Sequence, residues 1–264
     1  SQKNKKKNIF RMKLLIFNPR SFGQHGTLNS GLFLDYLSER YNTFILTRKP
    51  DKNNVYEKFV SNNQKIFFIN RLDNEETKRF VGNIAKDLKV DYIYILNFPQ
   101  MYEYIKIFKR YSRSSKIILD FKTPLLREKN EKKKIQSDLK NSLNHIYKIF
   151  SLSLESAQSW IPQIDINRVN IYPLSIDIND YNFVKSKKKS KYLRIVYCGV
   201  VNEKRKLKSL IFAIKRLKKK TDFFYLHIIG DGNDLPRLKK ITKKLKIEKK
   251  IIFHGVKNHE YIKK

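Results

Sequence analysis

Short runs of β-branched and aromatic residues alternate with segments of helical periodicity along the whole chain, and this alternation constrains the fold more than any single motif. It is the pattern of α/β architecture around a parallel sheet. Residues 13–17 form the first strand-like run. A polar loop over 18–29 follows, with Gly23 and Gly26, and then Leu32, Phe33, Tyr36 and Leu37 at helical spacing. Residues 43–47 and 65–69 read as strands. Phe80, Val81, Ile84, Ala85 and Leu88 share one face of a helix over 77–88. The continuous apolar run 92–96 suits a strand covered on both faces. A helix is predicted over 101–111, a strand over 116–119, a loop over 120–126 with Pro124, a charged helix over 128–148, and strands over 149–152 and 168–172.

The composition then changes. A lysine–serine run over 185–191 lacks apolar periodicity and reads as a linker. Beyond it the alternation restarts: a strand over 194–198 ending at Gly199, a helix face of Leu207, Leu210, Ile211, Ile214 and Leu217, a strand over 224–229 ending in Gly230-Asp-Gly232, and a helix carrying Leu238, Ile241 and Leu245. Asp234 is placed as that helix's N-cap, with Pro236 in its first turn. A strand over 251–253 closes the series. The predicted organisation is a basic tail over 1–11, an N-terminal domain over 12–184, the linker, and a β-α-β-α-β half of a doubly wound domain over 192–264. Met12 reads as the natural start.

Composition narrows the function. The hydrophobic fraction of 41% supports a packed core. No apolar run approaches the roughly 18 residues needed to cross a bilayer, and no signal peptide is recognisable, so a cytoplasmic protein is expected. The single cysteine, Cys198, precludes an intramolecular disulfide and a cysteine zinc site, and its apolar strand context predicts a buried thiol. Histidines and carboxylates lack the spacing of a metal site. The 58 basic against 24 acidic residues give a net charge of +34. Because the cations run along the whole chain and accompany abundant Asn, Ile, Tyr and Phe, we read the excess as compositional drift rather than as a polyanion stripe. It stays compatible with contact to an anionic membrane face.

Ligands of a doubly wound sheet bind beyond the carboxyl ends of its strands. In the second half those ends are residues 199–206, 230–233 and 254–257, and each contains glycine. Lys204, Arg205 and Lys206 adjoin a helix start, where free N–H groups and partial positive charge favour a diphosphate. Asp231 has a local alternative, stabilising its own turn. His227 is expected to be packed, His145 to lie at the surface and Trp160 in the core. Gly23, Gly26 and Gly31 do not form G-x-G-x-x-G, which argues against a dinucleotide cofactor.

Three stretches, Ile195-Val-Tyr-Cys-Gly-Val-Val-Asn-Glu-Lys-Arg205, Ile228-Ile-Gly-Asp-Gly232 and Ile252-Phe-His-Gly-Val256, resemble in order the donor domain of family-four retaining glycosyltransferases. Upstream, Ile171-Tyr-Pro-Leu-Ser-Ile-Asp177 with Tyr181, and the Asp91-led strand, are similar to further segments of that family. The resemblance implies a GT-B fold of two Rossmann-like doubly wound domains, the second incomplete. It implies transfer of a sugar from a nucleoside-diphosphate sugar to a carbohydrate or lipid-linked acceptor, in surface polysaccharide or glycolipid synthesis, with retained anomeric configuration and no further cofactor. Gly199, Lys204 and Arg205 would face the donor diphosphate, with Lys204 and Arg205 assisting its departure. Gly230, Asp231 and Gly232 would line the donor cleft, and His254, Gly255 and Val256 would touch the base. Phe22, Gly23, His25 and Gly26 would form the acceptor-side loop.

The chain departs from the family pattern at several positions. Val200 stands where Arg is common and Arg205 where Gly is common, and we assign the missing cation to Arg205. Asp120-Phe-Lys122 stands where many members carry His. The family's paired glutamates would lie beyond Lys264, so the chain is expected to be truncated and inactive alone. A second reading is a polyanion- or nucleic-acid-binding protein. The first predicts no specific nucleic acid. A nucleotide-sugar epimerase is a third, without assignable catalytic acids.

Overall fold

The apolar runs of the first half become the strands β1 (Lys13–Ser21), β2 (Asn42–Arg48), β3 (Lys65–Ile69), β4 (Tyr92–Leu96), β5 (Lys116–Phe121), β6 (Ile146–Ser151) and β7 (Val169–Ile171). In the computed structural model all their pairings are parallel, in the order β3-β2-β1-β4-β5-β6-β7. The structure describes residues 12–21, 37, 40–49, 65–172, 190–258 and 261–262. Chain contacts divide it into two compact units, Ser1–Ile176 and Asp177–Lys264.

In the first unit, strand order reverses between β1 and β4. Its described α-helices include α1 (Glu75–Leu88), α2 (Met101–Tyr111), α3 (Lys129–Asn141) and α4 (Leu154–Trp160), with short 3-10 turns at Leu143–His145 and Ile166–Arg168. Asn74 caps α1 by accepting the Glu76 N–H at 2.8 Å, and Lys89 ends it in the left-handed region. The core forms where α2 lies against the central strands. Phe17 of β1 meets the rings of Phe98, Tyr104 and Phe108 at centroid distances of 5.5, 4.7 and 5.7 Å. Trp160 is buried as expected and stacks on Phe121 at 5.5 Å.

The helix predicted over 128–148 ends at Asn141, and the next strand begins at Ile146. The strand register shifts beside Tyr147, so that Ile117 faces Ile146 while Ile118 faces Lys148. The irregularity puts both Ile146 and Ile149 into the core, and this spacing of three imitates a helix. Strand β5 also continues through Asp120 and Phe121, where a loop was expected, and β1 continues to Ser21. The basic tail, the helix over 32–37 apart from Leu37, and most of the 185–191 linker lie outside the described residues.

Asp120 explains the extension of β5. Its side chain is wholly buried and accepts the Tyr94 hydroxyl at 2.7 Å and the Tyr172 hydroxyl at 2.6 Å. The strand thereby carries a carboxylate inside an aromatic setting, stabilised by hydrogen bonds rather than by water.

The second unit contains β8 (Leu193–Cys198), α5 (Leu207–Lys218), β9 (Phe224–Ile229), α6 (Leu235–Lys244) and β10 (Ile251–Gly255). Its three strands are parallel in the order β10-β9-β8. Phe224, Leu226 and Ile228 of β9 pack with Leu207, Ile211 and Ile214 of α5 and Leu238 of α6. The alternate positions, including Val196 at 60% and Ile252 at 39% exposure, lie on a face that no described helix covers. Cys198 belongs to that face and is exposed, which corrects the expectation of a buried thiol.

Burial, the dominant influence, holds the Asp120 carboxyl above the usual carboxylate range against the downward pull of Lys122 and the two tyrosines. The unfolded chain ionises this group at lower pH, so its stabilising contribution is complete below the ordinary carboxylate pKa and is lost as pH rises through the raised value. Tyr94→Phe removes one stabilising donor to the ionised form. It should cost about 1–3 kcal/mol near neutral pH and less in mild acid, compared by urea midpoints of both proteins at the two pH values. An equal penalty at both would contradict this account.

Candidate functional site

Parallel strands deliver their carboxyl ends to one edge, and in the second unit three glycine-bearing segments meet there. The Gly199 N–H donates to the Ile229 carbonyl at 2.9 Å, and the Gly230 N–H to the Gly255 carbonyl at 2.8 Å. The Val201 N–H donates to the Asp231 carbonyl at 2.9 Å, and the Asp234 N–H returns to the Val201 carbonyl at 3.2 Å. Gly230 and Gly232 have φ of +131° and +157°. A Cβ on Gly230 would lie 1.9 Å from the Gly199 oxygen, and one on Gly232 would lie 2.2 Å from the Val201 oxygen. These glycines permit one loop to lie against the other.

Asn202 organises the turn after Gly199. Its side chain accepts the Arg205 N–H at 3.2 Å, closing a single 3-10 turn over Glu203–Arg205. Lys206 then adopts a left-handed conformation with φ of 52° and leads directly into α5. No side chain caps the start of α5, and no acidic residue occupies its first turn. The helix therefore begins with backbone N–H groups available and with Lys204, Arg205, Lys206 and Lys208 around it. Lys204 and Arg205 are exposed, and neither forms an ion pair among the described residues.

Arg237, which the sequence did not single out, accounts for the nearby acids. It forms ion pairs with the buried Asp234 through Nε and with Glu203 through Nη1 at 3.0 Å. Asp234 stands at the N-cap of α6, but its carboxylate serves Arg237 and makes no capping hydrogen bond, contrary to the expected cap. Pro236 lies in the first turn as anticipated. The i, i+3 spacing of Asp234 and Arg237 was the available signal for this pair. Arg237 thus links the turn at Glu203 to the start of α6 and engages two carboxylates that could otherwise neutralise Lys204 or Arg205.

Asp231 is exposed, and its carboxylate accepts the Gly232 N–H at 2.7 Å, a local turn contact. His254 is half-buried and stacks on His227 with Nε2 2.9 Å from that residue's Nδ1, while its own Nδ1 lies 3.3 Å from the Tyr261 hydroxyl. Both of its ring nitrogens have protein partners. Burial first, then the His254 and Arg194 charges, hold the His227 ring below its ordinary pKa. Gly255 has φ of 68° with open space where a side chain would stand, and Val256 is exposed. The structure therefore brings together Gly199, Lys204, Arg205, Gly230, Asp231, Gly232, His254, Gly255 and Val256 on three adjoining loops. Phe22, Gly23, His25 and Gly26 lie outside the described residues.

In the first unit, the carboxyl ends of β2 and β3 open into a polar cavity of about 570 Å³ lined by Arg48, Asn70, Arg71, Asp73, Gln100 and Glu103, among others. Among the described residues no group of three or more His, Cys, Asp or Glu is arranged to hold a metal ion, and no helix is long and apolar enough to cross a membrane.

The family described as glycosyl transferases group 1 matches residues 179–264. No curated protein sequence matches the chain. Solved structures resemble it at low identity. The Anabaena protein Alr3699/HepE, in a complex with UDP and glucose, superposes with a TM-score of 0.71 at 13% identity, over 94% of this chain and 70% of that one. WaaG, a glycosyltransferase involved in lipopolysaccharide biosynthesis, gives 0.64 at 11% identity over 93% and 70%. A Listeria monocytogenes protein provisionally assigned as a UDP-N-acetylglucosamine 2-epimerase gives 0.61 at 10% over 96% and 71%. The fold is that of the GT-B class, with two Rossmann-like units.

Gly230→Ala should lower the stability of the second unit by at least about 2 kcal/mol, because the added methyl meets a backbone carbonyl. Trp160 lies in the first unit, so far-ultraviolet circular dichroism should show an earlier transition while Trp160 fluorescence keeps its wild-type midpoint. Unchanged melting in both signals would contradict the loop packing described here.

Proposed function

We propose that this chain carries the donor-binding machinery of a glycosyltransferase that moves a sugar from a nucleoside diphosphate to an acceptor hydroxyl. The observation that carries the reading is the turn at Glu203–Arg205, where two cations without carboxylate partners among the described residues adjoin an uncapped helix start. Departure of the diphosphate concentrates negative charge on its oxygens. Lys204, Arg205 and the free N–H groups of α5 would stabilise that charge without rearrangement, and removal of one such donor typically costs roughly 3–4 kcal/mol of transition-state stabilisation. This cation set needs no divalent metal. Retention of anomeric configuration follows the family resemblance. The nucleotide-sugar donor is supported by a neighbour that binds UDP and glucose, and a surface-polysaccharide or glycolipid role by a neighbour in lipopolysaccharide synthesis. The polar cavity of the first unit suits a carbohydrate acceptor. We place the protein in the cytoplasm, with its basic surface available to an anionic membrane.

The 264 residues are, in this reading, part of a longer protein. The face of the parallel sheet β8–β10 that no described helix covers supports this, because parallel sheets are ordinarily covered on both sides. The family's carboxylate pair is absent from the chain, so its turnover of sugar nucleotides should be negligible. Robust turnover would refute this part of the proposal.

Binding of UDP, followed by calorimetry, tests the donor site itself. Lys204→Ala combined with Arg205→Ala should weaken it about 10- to 100-fold, the loss expected for charge-assisted hydrogen bonds. Equal affinity in the variant would reject the assignment. Duplex DNA should bind weakly and lose affinity at physiological salt. Tight binding with a steep salt slope would instead favour a polyanion-binding protein.

A further inference from the structure

The reversal of strand order between β1 and β4 marks the crevice of the first sheet, where ligands of doubly wound domains bind. Arg20 is the penultimate residue of β1, on one side of it. On the other, Lys122 and Thr123 follow β5, fastened to the end of β4 by Asn97. The Asn97 side chain accepts the Lys122 N–H at 3.1 Å and donates to the Thr123 hydroxyl at 3.0 Å.

Lys122 is only 18% exposed, and its Nζ stands 3.7 Å from Asp120 Oδ2, too far for a hydrogen bond. Both Asp120 oxygens already accept a tyrosine hydroxyl. Arg20 is close enough for its charge to disfavour the Lys122 ammonium, and it has no ion pair among the described residues. Among the described residues Lys122 therefore has only a long contact to a carboxylate that is committed elsewhere, with a second cation nearby, and this mostly buried ammonium keeps donors unmet. Such a spot is stabilised by an incoming anion.

We propose that Arg20 and Lys122 form a binding site for a phosphate or carboxylate group on the molecule held by the first unit. This deepens the reading above, on which it rests for the identity of that molecule as the acceptor: the acceptor is an anionic one.

Trp160 supplies the measurement. It is the chain's single tryptophan, its indole N–H donates to the Thr123 carbonyl at 2.7 Å, and it stacks on Phe121. Its fluorescence should respond to a ligand beside Lys122. Titration with inorganic phosphate, acetate or glucose, at ionic strength fixed with chloride, should give a saturable change with an anion and none with glucose. A stronger response to phosphate identifies a phosphate ester, and a stronger one to acetate a carboxylate. Lys122→Met and Arg20→Gln should each weaken the response at least 10-fold, and Lys122→Arg should keep it. Arg20 is exposed, so its variant tests the site even if Lys122→Met fails to fold. No saturation with either anion, or an undiminished response in Arg20→Gln, overturns the proposal. Lys204→Ala with Arg205→Ala should leave the Trp160 response intact, so failure of UDP binding alone would remove the donor reading and spare this site.

Discussion

The candidate site depends on backbone hydrogen bonds between loops. Gly199 with Ile229, Gly230 with Gly255 and Val201 with Asp231 extend the strand pairing past the last strand residues, so the three segments continue the sheet rather than hanging from it. A side chain at Gly230 or Gly232 would occupy the position of a neighbouring carbonyl. The glycines thus fix the place of the turn carrying Lys204 and Arg205 even though neither glycine needs to touch a ligand. A cationic turn on a mobile loop would lose much of its electrostatic advantage to reorganisation. On this scaffold it stays in position.

The charge of +34 becomes more intelligible when individual cations are followed. Several lysines donate to backbone carbonyls near helix ends. Lys13 reaches the Leu88 carbonyl at the end of α1, and Lys215 and Lys218 reach those of Leu245 and Lys246 beyond α6. Cations there satisfy orphan carbonyls and complement the helix dipole. Arg237 spends its charge on Glu203 and Asp234. Lys204, Arg205, Arg20 and Lys122 differ from these because no carboxylate hydrogen-bonds to them among the described residues. They gather at carboxyl ends of strands, where a parallel sheet receives ligands.

Most of this arrangement was legible in the sequence, for a physical reason. The apolar run of β4 is buried and uninterrupted, so its limit coincides with the polar Asn97 that follows. Reading failed where local pattern and pairing disagree. The register shift beside Tyr147 gives β6 a helical spacing, and the buried Asp120 looks like a loop residue until Tyr94 and Tyr172 are placed beside it. The role of Arg237 depends on Glu203, which is distant in sequence and adjacent only because β8 and β9 pair. Cys198 is exposed because strand context implies burial only on a covered face of the sheet.

That uncovered face bears on how the site can vary. Helices α5 and α6 both begin at loops of the candidate site, and both pack on the face of β9 that carries Phe224, Leu226 and Ile228. The anchoring of Lys204, Arg205 and the glycine loops therefore runs through the covered side of the sheet. The opposite side carries Val196, Cys198, Tyr225, His227 and Ile252, and among the described residues the His227–His254 contact joins it to the end of β10. Changes in what covers that face would act on the stability of the unit through apolar burial, at about 25 cal/mol per Å². The backbone pairing that shapes the cationic turn would be left as it is. The covered face of the three strands thus carries both the core of the unit and the anchoring of the cationic turn.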